Sequence, residues 1–169
     1  PGYPVTAKIR IGWDSESLVA PEAGRLLESV GIQALAIHGR TKTQGYKGDA
    51  NWDIIHETAA AISIPVIGNG SIGSSYDIHR IRDQFNVSGL MIGRAAIGNP
   101  WIFENIQSLL SKGKSSDSPS VKERWESVLR YSEIMKSHYS HLRPDMIMGI
   151  MKFNDFSLGN GVGLLYFDK

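Results

Sequence analysis

The chain has 169 residues, no cysteine and a formal net charge of +1, which excludes a disulfide scaffold, a thiolate metal site and an overall basic footprint for a polyanion. Charge is evenly spread, with 9 Lys+Arg against 10 Asp+Glu up to Ser111 and 9 against 7 after it. The longest uncharged run, Thr58 to Tyr76, is broken by Pro65 and several Gly and Ser residues, so it does not read as a membrane span.

Taken in chain order, Val5 to Gly12 reads as a strand. Ser17 to Val30 follows as a helix, with Leu18, Ala23, Leu26, Leu27 and Val30 as its apolar stripe and Gly31 as its stop. Ala34 to Gly39 is a second strand, Thr41 to Ala50 a polar loop, and Trp52 to Ile62 a helix capped by Asn51. Pro65 to Asn69 is a third strand, with Ser75 to Phe85 a helix carrying Ile78, Ile81 and Phe85. Leu90 to Gly93 is the fourth strand and Trp101 to Leu110 the helix after it.

Short, near-continuous apolar strands that alternate with amphipathic helices predict a parallel sheet covered by helices, an α/β fold. Four such units are half of a (β/α)8 TIM barrel, which needs about 250 residues; a small doubly wound domain is the alternative. The expected organisation is a half barrel over residues 1–111, a polar linker over 112–120 and a small helical domain over 121–169. That last domain starts with a helix over Val121 to Leu142, interrupted by Pro144, and continues with another over Met146 to Phe156. Gly159 to Lys169 is a poorly specified tail. Pro1-Gly2-Tyr3-Pro4 leads into the first strand with neither an initiator Met nor a signal peptide, so the chain is expected to be part of a longer product. Exposed strand edges at the cut would then favour self-association.

In a parallel barrel the functional groups sit where strands end. Lys8 and Arg10 alternate onto one face of the first strand, expected to be the barrel interior; an edge strand with both in solvent is the other reading. The second strand ends in His38-Gly39-Arg40-Thr41, placing an imidazole and a guanidinium beside a glycine that lets a ligand approach the backbone. After the third strand, Gly68-Asn69-Gly70-Ser71 offers backbone N–H groups; after the fourth, Gly93-Arg94-Ala95-Ala96 adds an N–H and a guanidinium fork suited to phosphate. Two such turns in consecutive units predict a phosphate cradle. His56 and His79 fall within helices as surface or packing residues, and His138 and His141 lack partners at metal-ligand spacing, so no metal site is expected.

These segments resemble the tRNA-dihydrouridine synthase family, most closely its bacterial type-B group. Pro4 to Asp14 looks like the family's fifth strand, His38 to Thr41 like its sixth, Pro65 to Gly70 like its seventh and Met91 to Pro100 like its eighth, nearly continuously from Pro4 to about Ile106. The resemblance implies a cytoplasmic oxidoreductase that binds FMN, draws on NADPH and reduces uridines of tRNA. On that basis Lys8, His38, Asn69, Gly70, Ser71, Gly93 and Arg94 contact the cofactor, and Arg10, Arg40 and Lys152 contact the RNA. The family's proton-donating cysteine lies in the first half of the barrel and this chain has none, so the chain by itself is expected to lack the catalytic acid. The family's basic tail stretch, close to Arg-X-X-X-Lys-His, is replaced by Met148-Gly149-Ile150-Met151-Lys152-Phe153, in which only Lys152 survives. Two alternatives stay open: another FMN-dependent barrel reductase, or a non-catalytic fragment that binds phosphate or RNA.

Overall fold

The computed structural model describes residues 2–73, 75–97, 99–138 and 163–166, with residues 75, 76 and 163–166 described as backbone. The chain divides into two compact units, residues 1–92 with 162–169, and residues 93–161.

The first unit alternates strand and helix: β1 (Thr6–Arg10), α1 (Ala20–Ser29), β2 (Ala34–His38), α2 (Trp52–Ala61), β3 (Val66–Asn69), α3 (Ser75–Gln84) and β4 (Gly89–Ile92), with a last strand β5 (Gly163–Tyr166). The sheet order is β1-β2-β3-β4-β5. The first four strands are parallel, as the apolar runs separated by helices require. β5 pairs antiparallel with β4, Met91 opposite Leu164. A strand thus stands where the sequence left an unspecified tail, because its partner is some seventy residues away and no local pattern announces the pairing.

Register decides which side chains share a face. Leu35, Ile37, Val66, Leu90 and Ile92 are fully or almost fully buried on one side of the sheet. Helices α1 and α2 lie against that side: a Cβ at Gly24 would touch Thr58 and Leu35, and a Cβ at Gly68 would fall 2.4 Å from the Trp52 ring. Gly68 is therefore the flat spot in β3 on which the indole rests. Asn51 caps α2 as expected, its side chain accepting the Ile54 N–H at 3.1 Å.

Helix α1 begins three residues later than its apolar stripe predicts. Leu18 is held in an antiparallel bridge to Gly12, the Val19 N–H donates to Ile11 O at 2.9 Å, and the Ser17 hydroxyl donates to Asp14 Oδ1 at 2.6 Å. Residues 14–18 therefore close a turn over the end of β1 before the helix starts with Pro21 in its first turn.

The second unit contains a 3₁₀ turn (Arg94–Ala96), α4 (Ile102–Lys112) and α5 (Val121–His138). Ile102, Ile106 and Leu109 form the buried stripe of α4, which stops at the left-handed Gly113. The Ser120 hydroxyl accepts the Glu123 N–H at 3.2 Å while Glu123 Oε2 accepts the Ser120 N–H at 2.7 Å, a reciprocal capping box at the start of α5. The expected helix over Met146 to Phe156, together with Lys152, lies outside the described residues.

Candidate functional site

Arg10, His38 and Asn69 are the last residues of three successive parallel strands and stand in register, Arg10 opposite His38 and His38 opposite Asn69. Lys8 precedes Arg10 by two and is paired with Ala36, so it occupies the same face. Met91 is opposite Asn69 and completes the row. This is the face opposite Leu35, Ile37 and Val66, and it collects Lys8, Arg10, His38 and Asn69 of the polar side chains that the sequence singled out.

Lys8 is exposed, yet partial desolvation, and after it the nearby Arg10 charge, hold its amine below the usual 10.5. Both effects make the ammonium a better partner for an anion or a strong acceptor than an isolated surface lysine would be. Asn69 donates from Nδ2 to the Met91 carbonyl at 2.6 Å, which fixes the amide and leaves Oδ1 as the acceptor. His38 is buried at 8% exposure, with Arg40 Nη1 3.4 Å from its Nε2.

Gly70 has φ +119, and a Cβ there would lie 2.7 Å from Ala50 Cβ and 3.0 Å from His38 Cδ2. Only glycine lets the main chain turn this closely past the imidazole. Its carbonyl accepts the Trp52 indole N–H at 3.0 Å, tying the turn to α2.

The two arginines expected to reach substrate are engaged with the loop between β2 and α2. Arg10 Nη1 donates to the carbonyls of Thr41 and Gly45 at 2.8 and 3.2 Å. Arg40, 3% exposed, donates from Nε and Nη2 to Gly48 O at 3.0 and 2.6 Å and from Nη2 to the Ser71 hydroxyl at 2.9 Å. Ser71 Oγ also accepts the Ala50 N–H at 3.0 Å and donates to Asp49 Oδ1 at 3.5 Å. The loop is further pinned to the turn after β1, with the Lys42 N–H on Gly12 O and the Thr43 N–H on Trp13 O. Sequence reasoning missed this scaffold; its one local signal is Gln44, which exchanges hydrogen bonds with Thr41 and donates to the carbonyls of Lys47 and Asp49.

In the second unit Gly93 precedes the 3₁₀ turn, a Cβ on it would meet nothing within 4 Å, and the Arg94 side chain is exposed. His56 Nδ1 accepts the Asn86 N–H at 2.9 Å, a packing role. Among the described residues no three His, Cys, Asp or Glu side chains are grouped to hold a metal ion, and no helix is long and apolar enough to cross a membrane.

The chain is similar to curated proteins of known name. The chain is 36% identical over 136 residues to a probable tRNA-dihydrouridine synthase of Rickettsia conorii, covering 80% of the chain and 41% of that protein. It is 38% identical to tRNA-dihydrouridine synthase B of Pasteurella multocida, with the same coverage. Against the synthase B of Vibrio parahaemolyticus it is 45% identical over 120 residues, 71% of the chain and 37% of the relative. The chain thus spans about two fifths of the length of the curated relatives it matches. The family model described as "Dihydrouridine synthase (Dus)" matches residues 2–153, and the chain belongs to that family.

Proposed function

We propose that the chain is the flavin-binding, carboxyl-terminal half of a (β/α)8 barrel in an enzyme that reduces uridine to 5,6-dihydrouridine in tRNA, with FMN as the flavin and NADPH as the reductant. One observation carries the reading: His38 and Asn69 end adjacent parallel strands, where barrel enzymes place their chemistry, and Lys8 shares their face two residues before the end of β1, in a member of the Dus family.

The residues present fit such a group. Lys8 offers a cation weakened by partial burial, suited to negative charge on a flavin ring. Asn69 offers a fixed acceptor and His38 a buried imidazole, with the Gly70 main chain turning closely past it. Gly93 and Arg94, in the second unit, are kept as phosphate contacts by resemblance alone. When bound, FMN would supply the hydride chemistry that side chains lack. The roles of Arg10 and Arg40 are indirect in this reading: they shape the loop beside the site. Lys152 is kept as an RNA contact by resemblance alone. With no cysteine in the chain, the proton for uracil C5 comes from a residue outside it. A tRNA substrate implies work in the cytoplasm, and the β1 edge is where this half would join another half barrel or a second copy.

The binding part is tested by titrating FMN into the chain and following flavin fluorescence, with Arg94→Ala alongside. Saturable quenching that weakens in the variant is expected; fluorescence indifferent to the protein refutes it. The reaction is tested with the full-length protein, flavin, NADPH and tRNA, by measuring dihydrouridine in the nucleoside digest. An unchanged content refutes the assignment.

A further inference from the structure

Strand β1 carries two cations on one face, and among the described residues neither meets a carboxylate: the ion pairs there are Arg82–Asp83 and Lys122–Glu126. Lys8 and Arg10 are paired with Ala36 and His38, so both leave the sheet on the same side, roughly 6–7 Å apart along the strand. The acids in the turn after β1 and in the loop after β2 bind elsewhere. Asp14 Oδ1 accepts the Ser17 hydroxyl and the Glu16 N–H, Glu16 Oε1 accepts the Ser15 hydroxyl, and Asp49 Oδ1 accepts the Ser71 hydroxyl. Arg10 Nη1 donates to the carbonyls of Thr41 and Gly45, a task that a neutral amide donor also performs, so its positive charge is left uncompensated. Like charges held on one strand face repel, and an anion placed against them relieves the repulsion.

We infer that Arg10 is a positioning residue that serves the site through its charge: with Lys8 it forms a two-cation face that holds an anion against the Lys8 amine. Resting on the flavin reading for its identity, that anion is the negatively charged ring of reduced FMN, which such a face favours over the neutral oxidised ring. The other site groups on the face, His38 and Asn69, are not acids and leave both charges standing. The lowered Lys8 amine agrees, with desolvation as its first cause and the Arg10 charge as its second. Charge and loop closure can be separated at this position. Arg10→Lys keeps the charge and loses the guanidinium, whereas Arg10→Gln loses the charge and keeps a donor for a loop carbonyl.

The test loads the whole chain with FMN and measures the two-electron potential of the bound flavin by equilibration with a reference dye. Arg10→Gln is expected to weaken the preference for reduced over oxidised FMN about tenfold, a fall of about 30 mV, while Arg10→Lys leaves the potential where it was. Equal shifts in both variants would tie the effect to the loop hydrogen bonds and overturn the inference, and so would an unchanged potential in Arg10→Gln. A second arm needs no flavin: the lysines are tagged with ¹³C-methyl groups, and Lys8 is assigned by its loss in Lys8→Met and titrated by NMR. In Arg10→Gln its amine should rise towards 10.5, and in Arg10→Lys it should stay low. An amine that already titrates at 10.5 in the unmutated chain overturns the inference with no variant needed. A chain that ignores FMN refutes the flavin reading alone, and the lysine titration then decides whether Arg10 acts on Lys8.

Discussion

Replacing Gly70 with alanine should be among the most damaging single-methyl changes in the first unit, and its cost can be separated into two parts. At φ +119 any side chain strains the backbone, by about 1–3 kcal/mol. The new methyl would also sit 2.7 Å from Ala50 Cβ and 3.0 Å from His38 Cδ2, an overpacking of about 1–3 kcal/mol. Neither neighbour can swing away: Ala50 is anchored through its N–H to Ser71, and His38 is buried. Stiffening the unfolded chain returns only about 0.4–1 kcal/mol. Gly31 provides the control, because its φ is +92 but a Cβ there meets nothing within 4 Å. Gly31→Ala therefore reports strain alone. With a urea m-value of about 1–3 kcal/mol per molar, Gly70→Ala should unfold at a midpoint about 1 M below Gly31→Ala. Circular dichroism during urea titration of both variants measures the difference. Equal midpoints would refute the claim that close packing against His38 and Ala50 dictates glycine here.

Other consequences can be checked in the same chain. Ser71→Ala removes the hydroxyl that joins Arg40, Ala50 and Asp49, at a cost of about 1–3 kcal/mol; hydrogen exchange over residues 41–50 should quicken while β2 stays protected. Asn51→Ala deletes the cap of α2 and should lower stability by about 1 kcal/mol in denaturant melts, with no effect on flavin binding. The Lys8 amine has a lowered pKa in the fold, so between that value and 10.5 the unfolded chain holds the proton more tightly. Stability should therefore rise with pH through that interval, and Lys8→Met should flatten the slope when urea midpoints are compared across it.

Local sequence determined the elements and the composition of the site's face. Apolar runs four to five residues long with helices between them can only be parallel strands buried on a helical layer, and they formed as read. The two-residue period put Lys8 and Arg10 on one face, and the short apolar runs put His38 and Asn69 at strand ends. Asn51 as a cap was equally legible, because capping is decided within one turn of helix. Tertiary structure decided what each polar group does there. Arg10 finds Thr41 and Gly45 across 31 and 35 positions, and Arg40 meets Ser71 across 31, distances at which no spacing rule operates. The delayed start of α1 came from a bridge between Gly12 and Leu18 that outcompeted the helical stripe. β5 found the edge of β4 only because folding brought the tail beside it. A side chain's type and period are properties of the chain, but its hydrogen-bond partners are set by which backbone groups the packed sheet leaves to be satisfied.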